Sequence, residues 1–491
     1  MSSEILIADG LHIHKKNFSS LFEFLASANI TYHVFCDHDE LRNCTLISYL
    51  SSEKLKRYAS IVEGEKKEVI FGYKYRGVSV FDVIRAELLS GLISDGMYTF
   101  SFDREIDFFE YCFENARKEL VVCYCAAMYW LDVWHNELTK NNYKYVIIFS
   151  GSSISAKSML RLCRYNSTEP LLVESFFTGK HFYLENKYDP IANNSDLRFC
   201  FPSFNSEIDL ARWSNSCEYL NGVGSNNKNV KQPTKKQDIP IKNYLLLTCQ
   251  VINDYSLIDS FRDLTSSIEL YKEIIGLVIG HTDYNLVVKV HPWERKKVKS
   301  AEPVTYLALA EYLNSFQAHE ASRVLLTEES NLHHLISDSV TTITLCSQSG
   351  LEASFLGKKP IIIGGSFYSG KGFSHDIESP KLLPALLNSD FRSFLSLSEF
   401  NQFMAFMNYC LCEHLVCSEL DSFDRLPQIF NDGRGCVSNS AGFSTGKRFW
   451  YEAESGFLKR NLFKLVENPS QVFRDLQVIY RRLAKKVAYI R

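Results

Sequence analysis

The sequence predicts an α/β protein made of two Rossmann-like α/β domains with a cleft between them. Three observations predict it. Apolar strand-like runs alternate with amphipathic helix-like runs in both halves of the chain, the pattern of parallel sheets flanked by helices. A polar stretch without an apolar cluster, NGVGSNNKNVKQPTKKQDIPIK, separates the halves. Three strands of the second half end in short polar motifs, and ligands of open α/β sheets bind outside the carboxyl ends of strands.

In chain order, strands are expected at Glu4–Ala8, Thr31–Phe35, Glu68–Gly72, Tyr145–Phe149 and Pro170–Val173. Amphipathic helices such as Val80–Leu92 and Ala156–Arg164 lie between them, and together they form an N-terminal α/β domain over residues 1–220. Residues 221–242 are the linker or mobile loop. A second domain, 243–440, opens with strand Tyr244–Thr248 and the largely helical Ser260–Leu277. Strands Asn285–Val290, Val324–Thr327 and Thr341–Leu345 follow, then helix Gly350–Leu356, stopped by Gly357, and strand Pro360–Ile363. Residues 441–491 form a C-terminal segment whose helical end carries Arg474, Arg481, Arg482, Lys485, Lys486 and Arg491. No internal repeat of solenoid period, ~20–50 residues, is present. Two α/β halves around a cleft are the architecture of GT-B glycosyltransferases and some epimerases, so the expected fold class is GT-B-like α/β.

Composition narrows the function classes. A net charge of −3 over 491 residues gives no global basic field, which argues against nucleic acid as a partner. Fourteen cysteines without a regular framework favour reduced thiols and a cytoplasmic location. The opening MSSEILIADG lacks the basic and apolar regions of a signal peptide, and no run of ~18 apolar residues predicts a transmembrane helix. The basic C-terminal helix has two readings, a solvated face or a segment lying on the anionic inner membrane surface, where each basic residue gains ~1 kcal/mol.

The three strand tips carry the candidate chemistry. In YLLLTCQVINDYSLIDS the strand ends near Thr248, followed by Gln250, Asp254 and Ser256. A carboxylate there can serve as nucleophile, base or electrostatic stabiliser, and Asp is equally a favoured helix N-cap. In VVKVHPWE, Lys289 and His291 stand at the tip and Pro292 fixes the turn; the imidazole can donate to a phosphate oxygen, though a lone histidine is more often structural. In TTITLCSQSGLEASFLGKKPIII a β-branched strand enters a Ser-Gln-Ser-Gly turn and a short helix. Amides and hydroxyls at such a start suit a phosphate, while Ser349 and Glu352 also read as a capping box.

Two motifs are decoys. GSFYSGKG lacks the Ser or Thr that a phosphate-binding P-loop needs after its Lys, because Gly372 stands there. Cys410, Cys412, His414 and Cys417 match no common zinc spacing, and FMAFMNYCLCEHLVC reads as a buried helix with core cysteines, like Cys123 and Cys125.

Taken together, the ordered motifs LLLTCQVINDYS, VVKVHPWE, CSQSGLEASFLGKKPIIIGGSFYSGKGFSHD and LLVESFFTGKHFYLENKYDPIANNS resemble the capsule-polysaccharide and O-antigen β-Kdo transferases of Kps type. The resemblance spans roughly residues 145–376. It implies a retaining transfer of Kdo from CMP-Kdo to a bacterial surface-glycan or glycolipid acceptor. Asp254 then matches the catalytic carboxylate, with Gln250 beside it, and Glu174 matches an acidic position facing the cleft. His291 of the His-Pro motif matches the histidine at the CMP phosphate, with Lys289 its basic neighbour. Ser347, Ser349 and Gly350 match the turn that holds the nucleotide, and Glu352 a ribose or cap contact. Ala192 stands where the family has Gly, which bears on the acceptor side. No cofactor and no metal are expected, since a single phosphate needs no clamp across a diphosphate. The competing readings are another CMP-nonulosonate transferase, a non-catalytic nucleotide-binding scaffold and an epimerase of UDP-sugars.

Overall fold

The computed structural model describes residues 4–35, 49, 52–191, 193–223, 239–259, 264–295, 303–418 and 425–431. Most of the expected linker, 224–238, Ala192 and the basic segment 441–491 lie outside the described residues.

Strand formation follows the apolar runs. In the first half these are β1 (Ile5–Ile7), β2 (Tyr32–Val34), β3 (Tyr145–Phe149), β4 (Glu169–Ser175) and β5 (His181–Asn186). β1 pairs in parallel with β2 and β3, and β3 with β4, whereas β5 lies antiparallel to β4. In the second half come β6 (Tyr244–Thr248), β7 (Asn285–Lys289), β8 (Val324–Thr327), β9 (Thr342–Thr344), β10 (Ile361–Ile363) and β11 (His375–Ile377). Their order is β8-β7-β6-β9-β10-β11, and every pair is parallel. Parallel strands covered on both faces read as unbroken apolar sequence rather than as alternation, and all of YLLLT is buried.

Helices cover the sheets. Among them are α1 (Ser19–Ser27), α2 (Val80–Ser94), α3 (Arg117–Lys140) and α4 (Ile154–Leu162). α5 (Ser206–Asn221) follows. The second half has α6 (Ser267–His281), α7 (Ser349–Phe355) and α8 (Leu397–Tyr409). α3 buries Leu120, Cys123, Ala127, Leu131 and Trp134, a stripe at spacings of three and four that faces the core. Cys123 and Cys125 are core thiols in it.

Three expectations change. Glu68–Gly72 is not a strand: Lys67–Phe71 is a helical turn that turns Ile70 into the core and leaves its charges outside. The helix expected over Ser260–Leu277 begins only at Ser267, whose start is capped by the Ser266 hydroxyl. Ahead of it, Leu264–Thr265 pairs antiparallel with Ser101–Phe102 of the first half. The third change concerns the domain boundary drawn at 440. After the second sheet the chain returns to the first: β12 (Val416–Cys417) pairs antiparallel with β5. Phe403, Phe406, Met407 and Cys410 join a core that the first half shares with Leu351, Ile362 and Phe373 of the second. Buried Asn408 locks the return, donating to the Asp209 carbonyl at 2.9 Å and accepting from the Ser216 hydroxyl at 2.7 Å. The expected buried helix therefore ends at Tyr409, and a wide π-type turn, Cys410–His414, leads into β12. Cys410 and Cys417 are buried, but Cys412 is exposed, and His414 contacts Glu185 at 2.7 Å.

Candidate active site

The three motifs of the second half end up side by side because β7, β6 and β9 are neighbours in the sheet. Adjacent strands lie ~4.8 Å apart, so their tips share one edge.

At the β6 tip, Asp254 is the N-cap of the one-turn helix Tyr255–Ile258. Its Oδ1 accepts from the Ser256 amide and the Ser256 hydroxyl, both at 2.9 Å, and Oδ2 takes no hydrogen bond from a described residue. The cap and the candidate nucleophile are thus one side chain using different oxygens. Gln250 is buried and braces this arrangement. Its Nε2 donates to the Ser256 hydroxyl at 3.0 Å, its Oε1 accepts from the Cys346 amide at 3.3 Å, and its own amide donates to the Tyr271 hydroxyl at 2.8 Å. The brace ties the β6 tip to the β9 tip.

At the β7 tip, the Trp293 amide donates to His291 Nδ1 at 3.2 Å. That makes Nδ1 the acceptor and leaves the ring proton on Nε2, the form that donates to an oxygen. Pro292 begins a turn closed by the Glu294 amide on the His291 carbonyl. Buried Glu294 in turn accepts from the Thr305 amide at 2.8 Å and hydroxyl at 2.9 Å, which anchors the turn to the next helix. Lys289 is buried and donates to the Glu328 carbonyl. Burial pushes its ammonium down to about 8, against the pull of Glu328.

At the β9 tip, Ser347 is half-buried while Ser349 and Gly350 are buried. The Ser349 amide donates to Ser347 Oγ at 3.2 Å, and the Ser349 hydroxyl lies 2.8 Å from that of Thr248, on β6. A Cβ on Gly350 would stand 2.2 Å from the Tyr368 hydroxyl, so this turn needs glycine for packing. Glu352 pairs with His333 at 2.9 Å, and this hydrogen bond raises the His333 pKa.

The first sheet supplies the opposing lip. Glu174 lies near the carboxyl end of β4, half-buried, and burial pushes its carboxyl up to about 7 against a hydrogen bond from Ser150. Ser150 and Gly151 both have positive φ, 57° and 91°, in the turn after β3. The negative charge of Asp254 raises it further. The lips are latched: the Phe177 amide donates to Gln348 Oε1 at 3.2 Å, and Asn193 bonds both Gly365 and Phe367. The sequence reading missed Asp9, His12 and Ser150 at this edge. The run ADGLH directly after β1 was the available signal, since it places an acid and a histidine at a strand tip.

Two α/β sheets whose carboxyl edges oppose each other, with an acid on each lip, define the GT-B-like class. Residues 189–384 match the family model described as "Capsule polysaccharide biosynthesis protein", the kind of protein the strand-tip motifs resemble. Among solved structures the chain is similar to the β-Kdo 2,4 transferase of KpsC from Thermosulfurimonas dismutans, at 20% identity and TM-score 0.37, covering 53% of this chain and 79% of that one. It is similar to the β-Kdo 2,7 transferase of the same KpsC, at 17% identity and TM-score 0.34, covering 58% and 81%. It is also similar to the UDP-GlcNAc 2-epimerase of Methanocaldococcus jannaschii, at 12% identity and TM-score 0.29, covering 83% and 100%. A search of curated proteins found no match. Among the described residues no helix is long and apolar enough to cross a membrane.

Proposed function

We propose that the protein is a glycosyltransferase of capsule synthesis that moves Kdo from CMP-Kdo to a glycan acceptor. The observation that carries this reading is an acid at the carboxyl edge of each sheet, Glu174 near the end of β4 and Asp254 just after β6, with the two edges joined by the Phe177 amide on Gln348. The motif resemblance and the family match support the choice of donor. His291 Nε2–H and the Ser347 turn contact the single phosphate and stabilise the departing CMP. Asp254 Oδ2 meets the anomeric carbon, either bonding to it or stabilising an oxocarbenium-like centre, as carboxylates do in retaining glycoside chemistry. Glu174, poised near neutral pH, takes the proton of the acceptor hydroxyl. In this reading Gln250 braces Asp254, and Lys289, Ser349, Gly350 and Glu352 belong to the nucleotide side.

The test is a thermal-shift panel with CMP, CDP, UMP, UDP, GDP and ADP, repeated on His291→Ala. A ligand at 100 times its Kd adds about 2.7 kcal/mol of stability. A shift with CMP that His291→Ala abolishes is the expected result. A shift with UDP or GDP instead would leave the fold reading intact and overturn the donor.

A further inference from the structure

The loop after β1 holds an acid–imidazole pair that none of the three strand-tip motifs includes. Asp9 Oδ1 accepts from the amides of Leu11 and His12, each at 3.0 Å, and Oδ2 contacts His12 Nδ1 at 2.7 Å. The carboxylate therefore fixes both the turn and the ring. The His12 ring stacks on Phe149, with centroids 4.8 Å apart and planes 14° from parallel. Phe149 ends β3 and is in register with Val173, the residue before Glu174. The imidazole is thus pinned at the same sheet edge as Glu174, with Nδ1 committed to Asp9 and Nε2 directed elsewhere. We propose that Asp9 and His12 are positioning residues that set an imidazolium against Glu174 and keep that carboxylate ionised, ready to accept the acceptor's proton.

The charges around the pair support this. Asp9 raises the His12 pKa, chiefly through its hydrogen bond, and Glu174 raises it as well. His12 in turn lowers Glu174, opposing burial and the charge of Asp254. The other groups facing Glu174 are Ser150 and Tyr183 on β5, the latter buried and directly opposite it in the strand register. Asn17 links His14 to this loop, contacting the His14 ring and donating to the His12 carbonyl, each at 3.2 Å.

The acceptor oxygen bonds to the anomeric carbon and its proton passes to Glu174. The bond from the sugar to Asp254, or to CMP where none forms to Asp254, breaks with its electron pair on the leaving oxygen. This role rests on the transferase reading, so the experiment has two arms. The first needs no turnover: NMR titration of ¹³C-labelled histidines in the full chain, with His12 assigned by its loss in His12→Gln. The His12 midpoint is expected at lower pH in Asp9→Asn and in Glu174→Gln than in the wild type. An unchanged midpoint in Glu174→Gln overturns the pairing. The second arm follows CMP release from CMP-Kdo against pH. Removing the imidazolium lets Glu174 rise, so the acidic limb of kcat/KM moves to higher pH in His12→Gln. A uniform loss at every pH, with the limb unmoved, assigns His12 a structural role and sinks the proposal. If no variant and not even the wild type releases CMP, the donor assignment fails, and the titration alone decides whether His12 and Glu174 are coupled.

Discussion

The two acids at the carboxyl edges of the two sheets are held in opposite ways. Asp254 is fixed by direct hydrogen bonds to one oxygen, from an amide and a hydroxyl, with a buried glutamine behind the hydroxyl. Glu174 is governed by its surroundings: burial and a neighbouring acid push it up, Ser150 and His12 pull it down, and it settles at about 7. The first arrangement fixes the direction of a lone pair. The second keeps a proton affinity adjustable. The difference suits the proposed transfer, in which one carboxylate meets carbon and the other meets a proton.

The largest expected effect comes from Asp254→Asn. Asparagine is as good an N-cap as aspartate, so the thermal midpoint and CMP-induced stabilisation should stay close to those of the wild type. Turnover of CMP-Kdo should fall by roughly 10⁴-fold, the scale of removing a carboxylate from a catalytic set. Measured as initial CMP release, a rate near that of the wild type would break the comparison at its stronger end.

Glu174→Gln comes next, and Glu87→Gln sharpens it. Glu87 is also raised to about 7 by burial, but it sits in the core and accepts from the Ile154 amide at 2.7 Å, at the start of α4. For both acids the folded-state pKa lies above the ordinary 4.5. Their contribution to stability is therefore complete below about 4.5 and is lost as pH rises through about 7. Glutamine removes that loss. Relative to the wild type, both variants should gain thermal stability between pH 5 and pH 8. Only Glu174→Gln should lose turnover, by about 10³-fold. Equal activity losses in the two would show that the raised pKa reflects burial alone and carries no chemistry.

The strand tips were legible in the sequence because their signal is local. A parallel strand buried on both faces is an unbroken apolar run, and the polar residues after it lie at the carboxyl edge by construction. Asp254, His291 and Ser347 were placed at that edge in this way. What each neighbour does was not legible, because its partner is far along the chain. Gln250 reaches Cys346, and Lys289 reaches Glu328, and neither separation has a periodic signature. The return of α8 and β12 to the first half was hidden for the same reason. An amphipathic helix states that it has a buried face but not which sheet it covers. Glu68–Gly72 failed differently: with Ile70 its one deeply buried residue, a short run fits a helical turn as well as a strand.

The smallest effect tests whether the rigid acid owes its direction to the brace. Ser256→Ala deletes the hydroxyl that donates to Asp254 Oδ1 and accepts from Gln250 Nε2. The Ser256 backbone amide still donates to Oδ1, so the cap survives. The stability loss should be about 1 kcal/mol, the net worth of a typical hydrogen bond. Gln250 keeps its contact with the Cys346 amide, so the β6 and β9 tips stay joined and CMP affinity should not change. Asp254 then has one direct restraint instead of two. Turnover should fall by about tenfold in kcat with KM unchanged, equivalent to about 1.4 kcal/mol of transition-state stabilisation. A lowered thermal midpoint with unchanged kcat would assign the hydroxyl to packing and leave the amide alone to aim the carboxylate. A fall in kcat with no loss of stability would make the Ser256 hydroxyl a device for aiming Asp254, the counterpart on this lip of what His12 does for Glu174 on the other.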